Sequence, residues 1–269
     1  MLYVVKYPIF LVDAFASKPF QGNPAGVVVL SEAVHDSWMQ NVAMEMNQAE
    51  TAFVWPKGDD WNLVWYTPTT EVDLCGHATL AAAEVLARSG RADSEVTFYT
   101  KSGALECRRS GKCWTMDFPA ENGAEHAERG DSWDLVTQIL GIEPIWLGRN
   151  RMDWLAQVEE DVLRSLKPDF VKIAKLGMRG LIVTAQDKRG QSYDFLSRFF
   201  APQSGVPEDP VTGSAHCFLG PFWSPRLAKT KLVGFQASPR GGTVSVDVSP
   251  SRCLLSGSAI VVLEGVLEV

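Results

Sequence analysis

No CxxC, HxH or HExxH pattern occurs in the 269 residues, and histidine appears only four times. Contiguous metal-ligand motifs are therefore absent, and no metal is expected. Five cysteines, at 75, 107, 113, 217 and 253, are an odd set with no paired spacing, which reads as free thiols of a reducing, cytoplasmic compartment. Long blocks of one charge are missing too. Lys plus Arg is 25 against 32 Asp plus Glu, a net −7, and the densest basic clusters are Arg108-Arg109 and Lys229 to Lys231. A nucleic-acid groove needs a concentrated basic footprint, so that class of partner is excluded. No apolar run approaches the ~18 residues of a membrane span. The opening Met1–Phe15 lacks a basic n-region and is interrupted by Lys6 and Asp13, so it does not read as a signal peptide.

What is present is an ordinary globular composition, 46% hydrophobic and 21% charged, on a chain long enough for about two domains. Short β-branched or aromatic runs punctuated by Gly, Pro, Asn or Asp predict strands at Ile9–Phe15, Ala25–Leu30, Thr51–Trp55, Leu63–Tyr66, Val96–Tyr99, Leu181–Ala185, Thr243–Val248 and Ser258–Leu263. Helical periodicity is confined to His35–Met46, Thr79–Ala87, Trp133–Leu140 and Glu160–Leu166. Many strands with few helices make an α+β protein.

The chain also repeats itself. Trp65-Tyr-Thr-Pro68, Cys75-Gly-His-Ala78, an apolar run, Val96-Thr-Phe98, Ser102-Gly103 and Lys112-Cys113-Trp114 are answered by Arg198-Phe-Phe-Ala-Pro202, Thr212-Gly-Ser-Ala215, a second apolar run to Trp223, Val233-Gly-Phe235, Ser238 with Gly241-Gly242, and Arg252-Cys253-Leu254. One unit per half implies two similar domains, 1–122 and 123–269, with a cleft between them and the last strand able to pack back on the first domain. The polar stretch Glu121–Asp131 is the linker this reading predicts.

Each repeated turn ends a strand and opens a helix, where unsatisfied N–H groups and the positive end of the helix dipole can cradle an anion. Gly76 and Gly213 would let a ligand approach the backbone. A plain strand-to-helix turn is the bland alternative, and duplication is what favours function. His77 at a helix start is expected to stay neutral and able to donate a hydrogen bond, or else simply to cap. Asp209 and Ser214 have cap readings of their own. Glu50, entering a strand, is either a solvated strand end or, if desolvated, a general base. All five cysteines are expected to serve packing, Cys75 least clearly. Asn23, in the turn Gly22-Asn23-Pro24-Ala25, and Arg240, in Arg240-Gly241-Gly242, are polar groups on loops that could meet a ligand. Trp65, Tyr66 and Phe200 are candidates for shaping a pocket.

Taken in order, Gly22-Asn23-Pro24-Ala25, Glu50-Thr51-Ala52-Phe53, Cys75-Gly76-His77-Ala78-Thr79, Phe200-Ala201-Pro202, Glu208-Asp209-Pro210-Val211-Thr212-Gly213-Ser214-Ala215 and Arg240-Gly241-Gly242 resemble the signature set of the phenazine-biosynthesis PhzF-like family, over nearly the whole chain. The resemblance implies a diaminopimelate-epimerase-like fold, two pseudo-symmetric domains each with a β-barrel-like sheet around a central helix. It implies a cofactor-free, commonly homodimeric enzyme in which a glutamate shuttles a proton, as in isomerisation of trans-2,3-dihydro-3-hydroxyanthranilate. The matching glutamate is Glu50, supported by His77, Asp209 and Ser214. Asn23, Gly76 and Gly213 match ligand-cradling positions. Related epimerases use one Cys from each half, but here Cys75 is answered by Thr212, whose hydroxyl cannot replace a thiolate at neutral pH.

The leading expectation is thus an isomerase acting on a small carboxylate-bearing substrate through Glu50. The alternatives are a binding or interaction protein on the same scaffold, and a racemase or epimerase using Cys75 with another acid.

Overall fold

The computed structural model describes residues 5–126, 130–190 and 192–268. It separates into two compact units, residues 1–117 with 256–269, and residues 118–255.

The first unit contains β1 (Lys6–Ala14), β2 (Asn23–Val29), α1 (Asp36–Met46), β3 (Glu50–Lys57), β4 (Asp60–Tyr66), β5 (Glu71–Val72), α2 (Gly76–Arg88), β6 (Glu95–Thr100), β7 (Gly103–Ser110) and most of β8 (Cys113–Pro119). In the second follow β9 (Ala124–Glu125), α3 (Asp131–Leu140), β10 (Trp146–Arg149), β11 (Asp153–Gln157), α4 (Glu160–Ser165), α5 (Phe170–Ala174), β12 (Gly180–Gln186), β13 (Phe195–Ala201), β14 (Val206–Asp209), α6 (Gly213–Leu227), β15 (Lys231–Gln236) and β16 (Gly242–Val248). The final strand, β17 (Arg252–Glu268), begins in the second unit and gives most of its length to the first.

In the first unit β17 pairs with β1, β1 with β2, and β2 runs parallel to β3. From there β3 pairs with β4, β4 with β6, β6 with β7, β7 with β8, and β8 returns to β17, closing a barrel-like sheet of eight strands. Closure removes the exposed edges that an open sheet would present. The helix inside is α2, whose Ala/Leu-rich sequence is apolar all round, with nine buried residues. The core around α1 gathers Ile9, Val28, Met39, Phe53 and Tyr66.

The second unit repeats the order. Strand β10 pairs with β11, β11 runs parallel to β12, β12 pairs with β13, β13 runs parallel to β15, and β15 pairs with β16. Its buried helix is α6, which continues through Pro221 and Pro225 to Leu227, four residues beyond the apolar run read from the sequence. Interior proline removes a helix hydrogen bond and ordinarily costs ~3 kcal/mol. Burial of Ala215, Cys217, Phe218, Leu219, Phe222 and Trp223 offsets that cost here. Helix α5, only five residues long, was too short to show a period.

Residues 121–125, the first part of the predicted linker 121–131, are not a free tether. Glu121 N–H donates to Cys217 O at 2.9 Å, the Glu121 carboxylate pairs with Arg151 at 2.6 Å, and Ala124 and Glu125 pair with β10. Gly123 passes so close to Phe218 that an added Cβ would stand 2.2 Å from the ring, so the segment is packed rather than tethering. Residues 127–129 of that stretch, and 1–4 of the opening segment, lie outside the described residues.

Trp65 and Phe200 are at most 1% exposed, and Tyr66 packs in the first unit's core. They fill the interior instead of shaping a pocket. None of the five cysteines forms a disulfide; Cys75, Cys107, Cys217 and Cys253 are buried, as a packing role requires, whereas Cys113 is exposed, its Sγ 3.4 Å from Ser258 Oγ. Burial pushes the Cys107 thiol up to about 12 and raises Cys217 as well. No helix among the described residues is long and apolar enough to cross a membrane.

Candidate active site

The N-terminus of α2 gathers four of the residues named from the sequence. Cys75 is the N-cap in extended conformation (φ −146°), with no side-chain cap hydrogen bond. Thr79 closes the turn by donating Oγ1–H to Cys75 O at 2.6 Å. His77, one residue further in and 6% exposed, stands over the first turn. Its Nδ1 lies 3.3 Å from Asn23 Nδ2 and 3.5 Å from Cys75 Sγ, and its Nε2 lies 3.2 Å from Glu50 Oε2.

Each partner is brought in by a local device. Glu50 begins β3 opposite Ala25 of β2, and its side chain is 21% exposed, so it is neither a solvated strand end nor fully buried. Asn23 begins β2 and is fully buried. The turn before it depends on Gly22 at φ +70°, where a Cβ would stand 2.1 Å from Ala14 O. Phe20 N–H is held by the buried Asp13 carboxylate at 2.7 Å, fixing the same turn.

These distances set the tautomer of His77. The Asn23 amide nitrogen can only donate, so Nδ1 accepts, and the imidazole proton sits on Nε2, which is buried without a hydrogen-bond partner although Glu50 Oε2 is 3.2 Å away. Burial pushes the His77 pKa down to about 3, so the ring is neutral at any physiological pH. The neutral ring stands 3.2 Å from Glu50 Oε2 without an aligned hydrogen bond, so it sits beside the carboxylate without a full positive charge to quench its basicity.

Glu50, Cys75 and His77 also place a carboxylate oxygen, a thiol sulfur and an imidazole nitrogen within 4.8 Å of one another. Such a mixed donor set suits a zinc-type cation. The sequence search for contiguous motifs did not bring Glu50 to the other two, because only the β2–β3 pairing does so.

The second unit builds a different constellation at α6. Thr212 is the N-cap, again extended and without a side-chain cap bond. Its hydroxyl donates to Asp209 Oδ2 at 2.5 Å, and its N–H donates to Gln236 Oε1 at 2.9 Å. His216 Nδ1–H donates to Thr212 O at 2.8 Å, matching the Thr79–Cys75 bond of the first unit. Loop residue Ser238 donates to Pro210 O at 2.8 Å, which packs the Arg240-bearing turn against the same segment. Glu208 is drawn away, into a two-point pair with Arg198 at 2.7 and 2.9 Å. Ser214 accepts from Arg179 Nη2 at 3.0 Å, and Arg179 is clamped by Asp153 at 2.9 and 2.5 Å. Sequence reasoning missed Arg179 and Asp153, since neither lies in a Gly turn. Burial raises the Asp153 carboxyl above its ordinary value, against the pull of Arg179.

The two buried imidazoles make a prediction about stability. His77 titrates near 3 and His216 near 4 in the folded protein, against ~6.5 when unfolded. Between pH 6.5 and 4 the unfolded chain binds protons that the native state refuses, so stability falls as pH falls, by about 1.4 kcal/mol per pH unit for each ring. Below their folded pKa values the contribution is flat. His216→Asn, which keeps a donor toward Thr212 O, is expected to remove about 1.2 kcal/mol per pH unit from that slope in urea titrations between pH 6 and 5, where the proton difference is not yet complete. An unchanged slope would refute the assignment.

Comparison with known proteins follows the same lines. The family described as phenazine biosynthesis-like protein, PhzC-PhzF, matches residues 12–265. An uncharacterized isomerase of Halalkalibacterium halodurans is 46% identical over 263 residues, covering 97% of this chain and 98% of that protein. The crystal structure of a PhzF-family protein from Enterococcus faecalis superposes with a TM-score of 0.91 at 37% identity, covering 98% of this chain and 99% of that one. A hydroxyproline epimerase from Agrobacterium vitis shares the fold alone, with a TM-score of 0.64 at 10% identity over 98% and 93% of the two chains. With matched motifs, barrel-like units and near-complete coverage in agreement, the chain belongs to the PhzC-PhzF family of phenazine biosynthesis-like proteins.

Proposed function

We propose that this isomerase moves a proton between two carbons of one small, carboxylate-bearing substrate, with Glu50 as the proton carrier. The observation that carries the reading is the Glu50 carboxylate oxygen 3.2 Å from Nε2 of a neutral, buried His77. In the forward step a C–H bond next to an activating group breaks. The proton goes to a Glu50 oxygen, and the electron pair spreads into the substrate's adjacent π-system. Glu50 then returns the proton to another carbon of the same molecule, so atoms and charge balance without a redox partner.

The uncapped N–H groups at the start of α2 supply directed donors for the charge that develops. His77 orients the base, and Asn23 holds His77 in its tautomer. Asp209 and Ser214 are assigned to holding the substrate, together with Thr212, Gly213 and Arg240.

Proton NMR in D₂O with a panel of amino acids and dihydroaromatic hydroxy acids tests the reading. Deuterium is expected to enter one carbon position of at least one compound, with or without EDTA. Exchange abolished by EDTA would transfer the chemistry to a metal held by the Glu50–Cys75–His77 set. A second reading, a racemase based on Cys75, draws on the 3.5 Å contact of its thiol with His77. Cys75→Ser separates the two, since a large loss of exchange favours the thiol and little change favours Glu50.

A further inference from the structure

The two units can be laid over one another by strand register. Thr51 lies opposite Tyr66 in the first unit, and Leu181 lies opposite Phe200 in the second, with Tyr66-Thr-Pro68 answering Phe200-Ala-Pro202. On this register the counterpart of Glu50 is Gly180, and the counterpart of His77 is Ser214. No side chain can stand at 180, because a Cβ there would lie 2.6 Å from the Phe199 ring and 2.8 Å from Phe200 O. The preceding residue fills the role with the opposite charge. Arg179 reaches Ser214 as Glu50 reaches His77.

From this we infer that Arg179 is a positioning residue that aims the Ser214 hydroxyl at a substrate carboxylate, an inference that rests on the function proposed above. The Arg179 charge is neutralised by a two-point clamp from Asp153, which is fully buried and held in turn at its backbone. Asn150 Oδ1 accepts from Met152 N–H at 2.8 Å and Asp153 N–H at 2.7 Å, and Arg179 N–H donates to Met152 O at 2.9 Å. What the guanidinium has left to offer is direction. One Nη2–H occupies a lone pair of Ser214 Oγ, so the hydroxyl proton must point elsewhere, and no acceptor for it exists among the described residues. A hydroxyl whose acceptor side is filled and whose donor side is open, in the first turn of α6, is arranged to donate to an anion.

The test is a set of NMR titrations with 2-aminobenzoate and proline, each beside its carboxamide. Arg179→Gln alone would strand the buried Asp153 carboxylate, so the variant is Arg179→Gln with Asp153→Asn, made in the natural background and with Ser214→Ala. Carboxylate affinity is expected to fall at least fivefold in the double variant. That loss should vanish once Ser214 is already Ala, and the carboxamide, a neutral and weaker acceptor, should lose clearly less than the carboxylate in the natural background. A merely structural role would weaken both ligand types equally in both backgrounds, and that result overturns the inference. Carboxylates bound equally well by natural protein and double variant overturn it too, while leaving the function proposed for Glu50 standing. If neither carboxylate binds the natural protein, the carboxylate-substrate reading falls, and the inference falls with it.

Discussion

Glu50→Gln is expected to slow carbon–hydrogen exchange by about a thousandfold, the middle of the range a positioned general base supplies, equivalent to about 4 kcal/mol of barrier. The substitution is close to isosteric. The Gln side chain can occupy the same place 3.2 Å from His77 Nε2, and Asn23 still donates to Nδ1, so the turn, the tautomer and the packing should survive. What disappears is the basic lone pair. Circular dichroism and the urea midpoint should match the unsubstituted protein, which ties any loss of exchange to chemistry. Glu50→Asp, which withdraws the carboxylate by one methylene, should fall between the two. Exchange that persists at more than a tenth of the original rate in Glu50→Gln would show that another group carries the proton, and Cys75, 3.5 Å from the same imidazole, would be the next candidate.

The largest expected loss of stability comes from Glu208, which lies beside Asp209 in sequence but faces away from the candidate site. Its carboxylate takes both Nε–H and Nη2–H of Arg198, and the two side chains are 13% and 11% exposed. Arg198 Nη1–H also donates to Leu166 O at 2.7 Å, just beyond the end of α4, where a cation is favoured by the helix dipole. Removing one partner of a buried pair leaves the other charge uncompensated, which costs roughly 3–5 kcal/mol. Glu208→Ala is expected at the low end, about 3 kcal/mol, because the carbonyls still hold the guanidinium. Replacing the pair together, Arg198→Met with Glu208→Leu, should cost much less. Urea unfolding of the single and paired variants measures both. A loss under 1 kcal/mol for Glu208→Ala would mean that water reaches Arg198 and the pair behaves as a surface contact.

Several parts of this protein were legible without coordinates because they depend on local patterns. The Ala/Leu run after Cys75 predicts a buried helix, and α2 begins at Gly76. The Thr51–Trp55 run lies within β3, and His35 caps α1 by accepting from Ser37 N–H. The ordered motifs, from the Asn23 turn to the Arg240 turn, led to the family, and family comparison spans the same stretch. Register and close contact were not legible, since they are set by residues distant in the chain. Tyr66 looked like pocket material because aromatic type says nothing about depth, and it lies 4% exposed in a core. The segment 121–131 looked like a linker because it is polar, but the backbone of 121–126 is bonded to α6 and β10.

By itself, the sequence determined the α+β class, the duplicated strand-turn-helix units, the positions of Asn23, Glu50, Cys75, His77, Asp209 and Ser214 as polar groups at element starts, and the family. Tertiary structure alone decided which of these meet. Parallel pairing of β2 with β3 and the descent of α2 into its barrel carry Glu50, His77, Asn23 and Cys75 together across 54 residues of chain. The same pairing in the second unit, with Gly180 where no side chain fits, substitutes Arg179 for a carboxylate. Local propensity cannot encode that choice, because it arises from the steric room left by the Phe199 ring and from a buried Asp153 that needs a cation beside it.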